Sequence, residues 1–384
     1  MAAWHFLLNS CLSDNILFIN TAIGFTMHET PLKRRGRGSL SNATGRFEAT
    51  NHLDIDDGWS SYTEPETRIQ THWRRDCNRT IITRNQSPDI NFDRSINPYR
   101  GCEHGCIYCF ARPSHTYLGH SAGLDFETRL YAKTEAASLL RTELAKRSYT
   151  CEPIAIGVNT DAYQPLEKQL GITRQLLEVL LEARHPVYLI TKSSLIERDI
   201  DLLSELAKHN LVSTCITITT LDRTLARKLE PRATTPHRRL ETLRRLTAAG
   251  IPVRVSVSPV IPALNEEEVS TIVATAAEAG ASAAHAIVLR LPHELQQLFP
   301  QWLEEHYPLR AERVLKAIRS LRDDKLNHSE FGERMEGSGP RADIIRQQFE
   351  FACRRAGIAC GRDLALDTSL FRPPSSGGQM SLFG

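Results

Sequence analysis

The segment Asn97-Pro-Tyr-Arg-Gly-Cys102-Glu-His-Gly-Cys106-Ile-Tyr-Cys109-Phe110 places three cysteines within eight residues, in the spacing C-x3-C-x2-C. Thiolates this close together on a glycine-containing loop can converge on one soft metal centre, either zinc or an iron–sulfur cluster. A closed structural zinc site takes four protein ligands, and the chain has no second CxxC-like pair. His104 would be strained as a fourth ligand beside Cys102. A cubane cluster on Cys102, Cys106 and Cys109 leaves one iron open to a small molecule, so the pattern favours a cluster over zinc or plain buried thiols.

The composition of the whole chain excludes several classes of protein. The 384 residues carry 47 Lys and Arg against 45 Asp and Glu, a net charge of +2 that does not suggest wholesale binding to nucleic acid or membranes. Nine cysteines are too sparse for a small disulfide scaffold. The sequence contains no apolar run of 18 residues or more. We therefore expect a cytoplasmic protein of a reducing compartment with no membrane association.

Short apolar runs alternate with segments of helical spacing after residue 90. Because strands that alternate with helices are parallel and joined by crossovers, the pattern predicts an α/β fold. With one more strand at 95–99, there are six units, which predicts a partial (β/α)6 barrel. The other strand-like runs are 154–158, 187–190, 212–218, 253–257 and 286–289, and two of the helical segments between them are 170–183 and 195–207.

The flanking regions predict the domain organisation. Residues 1–86 are read as a largely irregular N-terminal extension, and Met27 is an alternative start. Residues 87–292 form the core, 293–366 a C-terminal helical extension with helices near 310–322 and 342–356, and 367–384 a flexible tail.

The cysteine motif resembles the signature of the radical S-adenosylmethionine superfamily, in which an aromatic residue, here Tyr108, precedes the last cysteine. The resemblance implies a partial barrel of the radical S-adenosylmethionine type, with a [4Fe-4S] cluster on the three cysteines. It also implies that the open iron binds the amino and carboxylate groups of S-adenosylmethionine. One electron, from a flavodoxin- or ferredoxin-like donor, would then cleave the cofactor to a 5′-deoxyadenosyl radical.

Polar residues at the predicted strand ends are candidates for binding S-adenosylmethionine, since ligands collect at the carboxyl ends of parallel strands. The second strand ends in Asn159-Thr160-Asp161, where the superfamily contacts the methionine amino group; a turn with a helix cap is the alternative. Lys192, after the third strand, offers a charge for the carboxylate, or is a solvated loop residue. Thr217 and Thr219 could bind the ribose or carboxylate, or simply favour the fourth strand.

A closer resemblance is to the spore photoproduct lyase branch, and within it to an uncharacterised bacterial subgroup. It rests on Thr191-Lys192, on Leu229-Glu-Pro-Arg232 and on Ser258-Pro-Val260, with Ser87-Pro-Asp-Ile90 shared with the subgroup. The lyase places its hydrogen-donating cysteine after the second strand, where this chain has Asn159. Cys151 precedes that strand and is expected at the opposite end of the barrel, so thymine-dimer reversal does not carry over directly.

Two basic stretches raise the possibility of a nucleic-acid substrate. Residues 222–245 hold eight basic and three acidic side chains, and Lys33-Arg-Arg-Gly-Arg37 is a second patch. The first could equally be a solvated outer helix face. We take DNA as the preferred substrate class, with RNA or a protein side chain as the alternative.

The C-terminal Gln379-Met-Ser-Leu382-Phe383 resembles the short motif with which bacterial replication and repair proteins bind the sliding clamp. Gln379, Leu382 and Phe383 are therefore candidate clamp-binding residues. A different class of function follows if the cluster is only structural, namely an iron–sulfur adaptor recruited to that clamp.

Overall fold

A computed structural model of the chain describes residues 36–48, 69–361 and 365–374. These described residues belong to one compact unit. The alternative start at Met27 and the clamp-binding residues Gln379, Leu382 and Phe383 lie outside the described residues. Within the described part, no helix is long and apolar enough to cross a membrane.

The main sheet has eight strands, in the order β11-β10-β9-β8-β7-β6-β3-β2. All neighbours pair in parallel except β2 and β3. The six predicted units are strands β3 and β6 to β10, so the structure confirms the partial (β/α)6 barrel. The strands are β1 His72–Arg75, β2 Thr83–Arg84, β3 Arg94–Ile96, β4 Tyr99–Arg100, β5 Arg129–Ala132, β6 Ile154–Ile156, β7 Val187–Thr191, β8 Val212–Thr217, β9 Val253–Val260, β10 Ala283–Val288 and β11 Ala359–Cys360.

Helices cover the outer face of the sheet. In α4 the buried side chains Ile172, Leu176, Val179 and Leu180 recur at helical spacing and join the main hydrophobic core. All six residues of β8 are buried, as expected of a parallel strand covered on both faces. The helices are α1 Asp125–Thr128, α2 Ala136–Leu144, α3 Glu167–Leu170, α4 Ile172–Glu182, α5 Ile200–Ala207, α6 Arg223–Leu229, α7 Pro236–Ala248, α8 Val269–Glu278, α9 Leu295–His306, α10 Pro308–Arg319 and α11 Gly339–Ala356.

The first predicted strand, 95–99, is divided in the structure. It leaves the main sheet after Ile96, because Pro98 has no N–H to donate to a strand ladder. The chain then turns, and Tyr99 pairs with Ala132 in a second, three-stranded sheet of order β1-β5-β4. The cysteine loop therefore starts from this smaller sheet, beside the carboxyl edge of the barrel.

The C-terminal segments contribute to the main core and to the main sheet. Helix α11 packs on α8, and its Ile345 and Phe349 belong to the main core. Strand β11 extends the sheet beyond β10. Arg334 forms an ion pair with Asp89 through two hydrogen bonds, each with an N–O distance of 2.6 Å. This pair connects the segment before β3 with the segment after α10.

Candidate active site at the carboxyl ends of the strands

The cysteine loop is held from behind by one buried arginine. The Arg112 guanidinium is inaccessible to solvent and donates to the carbonyls of Cys106 (2.8 Å) and Gly105 (3.1 Å). It also forms an ion pair with Glu127, at 2.5 Å. The backbone N–H of Cys102 donates to the Phe126 carbonyl, at 2.9 Å. These bonds fix the loop before any ligand is present.

Residues of the N-terminal arm cover the same loop on its outer side. The Glu127 carboxylate accepts the backbone N–H groups of Gly38 (2.9 Å) and Ser39 (2.8 Å). A Cβ on Gly38 would lie 1.7 Å from the Gly105 carbonyl oxygen, so only glycine permits this approach. Arg37 is buried and donates to the carbonyls of Glu127 and Ile69. Arg37 is therefore a structural residue and not part of an exposed basic patch.

A cavity of about 230 Å³ lies where the cysteine loop meets the ends of the strands. Cys102, Cys106 and Cys109 all line it and all are free thiols. Of the candidate residues for S-adenosylmethionine, those that line it are Tyr108, Asn159, Thr160, Asp161, Lys192 and Thr217. The register explains this gathering, because Thr191 lies beside Ile216 and Thr217 beside Ser256 at one edge of the sheet. Thr219 does not line the cavity.

The Asp161 carboxylate is used to join two strand ends. It accepts hydrogen bonds from the Thr191 hydroxyl (2.7 Å), from the Lys192 N–H (2.8 Å) and from the Tyr163 N–H (2.9 Å). Burial alone would raise the pKa of Asp161, but His104, whose Nδ1 lies 3.3 Å from the carboxylate, and these donors hold it well below its usual range. Asp161 therefore shapes the wall as an ionised group.

The neighbouring residues Asn159 and Thr160 differ in how free their side chains are. The Thr160 hydroxyl donates to the Tyr99 carbonyl at 2.8 Å, so it ties the wall to the smaller sheet. The Asn159 N–H donates to the side-chain oxygen of Asn97, also at 2.8 Å. Within the described residues, the Asn159 side chain itself makes no hydrogen bond. Of the three residues, Asn159 has the side chain available for a ligand.

A buried polar network lies behind Cys106, and Thr219 belongs to it. The Tyr108 hydroxyl contacts the Glu230 carboxylate and lies 3.1 Å from the Thr219 hydroxyl. Glu230 also forms an ion pair with the buried Arg239. Burial opposes ionisation of Glu230, but Arg239 and Lys192 lower its pKa to about 2. The sequence carried Glu230 only as part of a resemblance, and its long-range partners give it a positioning role.

The three sulfurs are spread more widely than the thiolate ligands of a single zinc ion. A zinc ion bound by three thiolates would hold their sulfurs about 3.8 Å apart, given Zn–S bonds of about 2.3 Å. Within the described residues, the sulfurs of Cys102, Cys106 and Cys109 do not all lie within 4.8 Å of one another. Burial raises the pKa of Cys106 to about 12, so a metal centre that binds this thiolate must displace its proton.

Comparison with known proteins identifies the family. The family model described as "Radical SAM superfamily" matches residues 96–276. This range begins at the end of β3, contains the cysteine loop and ends within α8. The chain belongs to the radical S-adenosylmethionine superfamily. An uncharacterized protein of Mycobacterium tuberculosis is 35% identical over 232 residues, 60% of this chain and 68% of that protein. One of Methanocaldococcus jannaschii is 28% identical over 173 residues, 45% of this chain and 62% of that protein.

Solved structures of spore photoproduct lyase share the fold. The lyase "complexed with dinucleoside spore photoproduct" matches with a TM-score of 0.53 and 14% identity, over 75% of this chain and 81% of that chain. At this identity the likeness supports the radical S-adenosylmethionine fold alone. Membership of the superfamily implies a [4Fe-4S] cluster and S-adenosylmethionine as cofactors.

The other described cysteines lie away from the cavity of this superfamily member. Cys151 precedes β6 at the amino end of the barrel and is absent from the cavity wall. Cys215 is buried in β8 and packs near Tyr188. No fourth cysteine lines the cavity among the described residues. Among the described residues, Asn159 therefore shares the cavity with no thiol other than the three of the cysteine loop.

The basic stretch 222–245 is partly neutralised by acidic residues from elsewhere in the chain. Glu197 pairs with both Arg238 (2.5 Å) and Arg245 (3.0 Å). Glu103, in the cysteine loop, pairs with Arg232 at 3.1 Å. Part of this stretch is therefore an ion-paired outer surface, as the alternative interpretation expects, and part of its positive charge remains.

Arg290 and Phe110 are among the residues of the cavity wall that were not predicted from the sequence. Arg290 follows β10, and its guanidinium carbon lies 5.0 Å from the centre of the Phe110 ring. Both residues line the cavity, and Phe110 is 43% exposed. In the sequence, the only indication that Phe110 belongs to the site is its position directly after Cys109, the last cysteine of the motif. Arg290 had none, because its position depends on how the sheet closes.

Proposed function

We propose that this protein binds a [4Fe-4S] cluster on Cys102, Cys106 and Cys109, holds S-adenosylmethionine in the adjoining cavity, and acts as a radical enzyme on nucleic acid. The observation that carries the proposal is the shared cavity: three free thiols and the polar ends of three parallel strands line one space. A structural cluster alone would need no such space beside it.

Some of these residues would contact the cofactors, and the others position the residues that make those contacts. Lys192 lines the cavity and interacts electrostatically with Cys106, and we assign it to the cofactor carboxylate. Asn159 and Thr217 would bind the amino group and the ribose through their cavity-facing side chains. Tyr108, Thr160, Asp161 and Thr219 are assigned positioning roles through the bonds described above. When both cofactors are bound, they supply a 5′-deoxyadenosyl radical that can abstract hydrogen from a substrate.

The wall also limits access of water to the reacting groups. Cys102, Cys106 and Tyr108 are each 7% exposed, and Tyr188 on β7 is 5% exposed. A shielded cavity suppresses side reactions of a radical. The protein's contribution is therefore to bind and orient the cofactors and to exclude solvent.

The substrate class rests on weaker support than the cofactors. The lyase with a similar fold is described in complex with a dinucleoside photoproduct, which favours DNA here. Since the cysteines in the described cavity wall are the three assigned to the cluster, we propose that the reaction does not end with hydrogen donation from a cavity thiol. Modification of RNA or a protein side chain is the alternative, and an iron–sulfur adaptor is the alternative of another class.

Anaerobic reconstitution tests the proposal. Wild-type protein is expected to bind about four irons per chain and to form 5′-deoxyadenosine from S-adenosylmethionine when dithionite is added. Cys106→Ala should lose both properties. Cys215→Ala removes a buried thiol outside the cavity and serves as the matched control, expected to keep both.

Two outcomes would redirect the proposal. Bound iron without 5′-deoxyadenosine from wild type would favour the adaptor. Product formation that is equal in Cys106→Ala and wild type would exclude the cluster from the reaction.

Once turnover is established, single-stranded DNA, RNA and peptides are compared for their effect on the rate of 5′-deoxyadenosine formation. A flavodoxin or ferredoxin then replaces dithionite. A flavodoxin- or ferredoxin-like donor is the partner we propose, in the cytoplasm.

A further inference from the structure

Arg290 is a cation at the cavity whose charge the described part of the chain leaves unpaired. It lies just beyond the end of β10, is partly buried, and lines the cavity beside Phe110. Its guanidinium stacks on the Phe110 ring. Within the described residues, that guanidinium forms no hydrogen bond and no ion pair.

The other arginines near Arg290 are fully engaged. Arg334 forms its two hydrogen bonds with Asp89. Arg322 is buried and donates to the carbonyls of Val288 and Leu289. Asp89, the acidic group that faces Arg290, is thus already neutralised by Arg334. Burial and the charge of Arg334 lower the pKa of Arg290. A partly desolvated cation in this setting is stabilised by an external anion.

The anion is not expected to be the carboxylate of S-adenosylmethionine. Lys192 lies near Cys106, with its Nζ 5.8 Å from the centre of the Tyr108 ring. Arg290 instead stacks on Phe110, whose exposure places it where the cavity opens. The two cations therefore lie against different rings of the cavity wall. The ring beside Arg290 is the one exposed to solvent.

The chemistry of the pair favours a nucleotide. A guanidinium binds a phosphate through two parallel hydrogen bonds, and an exposed aromatic ring offers a surface on which a base can stack. Phe92 and Tyr188 add further aromatic rings to the wall. An acidic peptide would satisfy the charge but leave the rings without matching partners.

We propose that Arg290 and Phe110 form an entrance subsite that binds a phosphodiester and the adjoining base of a single-stranded nucleic acid. The proposal rests on the proposed function and names the substrate contact of the same cavity. It assigns the phosphate to Arg290 and the base to Phe110, so the two residues are expected to differ in how salt affects their contributions.

The test is anaerobic fluorescence anisotropy on the reconstituted protein with S-adenosylmethionine, using a labelled single-stranded oligonucleotide of about eight nucleotides. Arg290→Gln is expected to weaken binding about 10-fold at low salt and to reduce the slope of log Kd against log salt by about 0.7, the contribution of one phosphate contact on a single strand. Arg290→Lys should keep the wild-type slope at intermediate affinity. Phe110→Leu should weaken binding about 10-fold without changing the slope.

Arg141→Gln is the matched control, because Arg141 is an exposed arginine on α2 paired with Glu182 and lies outside the cavity. It should bind as wild type does. Iron content and a thermal melt confirm that each variant is folded and loaded.

Several results would overturn the subsite. One is an Arg290→Gln protein with wild-type affinity and slope, and another is wild type that does not bind the oligonucleotide. A third is Arg290-dependent binding of an acidic octapeptide instead, which would indicate a protein substrate. Formation of 5′-deoxyadenosine by wild type is assayed in parallel. Its absence would refute the proposed function, whereas the anisotropy alone decides the subsite.

Discussion

Arg112 and Glu127 form an ion pair that is closed to solvent, with Nη2 2.5 Å from Oε1. Arg112 uses its other N–H groups on carbonyls of the cysteine loop, including that of Cys106. Glu127 uses both oxygens on backbone N–H groups of the N-terminal arm. One buried pair thus holds the cysteine loop to the arm that covers it.

Glu127→Gln should therefore destabilise the protein strongly. The change leaves the Arg112 charge buried without its partner, which costs about 3 kcal/mol in the free energy of unfolding. Urea denaturation of the cluster-free protein measures this cost. Glu182→Gln, which breaks the exposed pair with Arg141, should cost less than about 1 kcal/mol. Equal losses in the two variants would contradict the role given to the buried pair.

Lys192→Met should weaken binding of S-adenosylmethionine. Loss of a charged hydrogen bond to the cofactor carboxylate is expected to cost about 2 kcal/mol, roughly a 30-fold rise in Kd. Equilibrium dialysis of the reconstituted protein measures it, with iron content determined on the same samples. Lys168→Met, an exposed lysine on α3, is the control. Unchanged affinity in Lys192→Met would remove Lys192 from the cofactor site.

The stability of the fold should fall as the pH is lowered, in part through His185. This side chain is buried; its Nδ1–H donates to the Pro186 carbonyl (2.9 Å) and its Nε2 accepts from the Tyr149 hydroxyl (2.7 Å). Burial lowers the pKa of His185 from 6.5 to about 4. As the pH falls through that window, the unfolded chain binds a proton that the folded chain does not. The free energy of unfolding should then drop by up to about 1.4 kcal/mol per pH unit from this group.

Urea denaturation at a series of pH values between about 7.5 and 4.5 measures this effect. His185→Gln should be less stable near neutral pH, because it loses the Tyr149 hydrogen bond, but should show a flatter pH dependence than wild type. His209→Gln, at an exposed position, should keep the wild-type pH dependence. A pH profile that is the same for His185→Gln and wild type would contradict the linkage.

The C-terminal motif makes a separate prediction about a partner. Deleting residues 379–384, or changing Leu382 and Phe383 together to alanine, should abolish binding to a bacterial sliding clamp in a pull-down, because both apolar side chains are needed to fill a small pocket. Ser381→Ala should bind as the full chain does. If the full chain itself fails to bind the clamp, the motif is a chance match.

The strands could be predicted from the sequence because their pattern is local. The runs that form β7 and β8 are continuous and apolar, as buried parallel strands require. The strand predicted at 95–99 was too long, since the effect of Pro98 on strand pairing outweighs the apolar character of its neighbours. The end of β6 was also predicted too late, because Gly157 adopts a φ of +85° and ends the strand there.

The sequence predicted which residues share the cavity where chemistry and spacing lie close together in the chain, as for the three cysteines and Asn159. The site was missed where partners come from distant segments. Thr219 lies two residues beyond Thr217 and was given the same role, yet it bonds with Glu230 instead of facing the cavity. The net charge of residues 222–245 was counted without Glu197 and Glu103, which offset part of it from other elements. Such pairings follow from tertiary structure and leave no local pattern.

Contacts at the edges of the sheet determine which fragments of this protein can be expected to fold on their own. Residues 87–292 contain every cysteine ligand, yet Asp89 is bonded to Arg334, Glu127 to Gly38 and β10 to β11. A fragment cut to those bounds would leave Glu127 buried without two of its donors and would uncover the core face that α11 occupies. The smallest piece expected to fold and to retain its metal centre therefore includes the arm and α11.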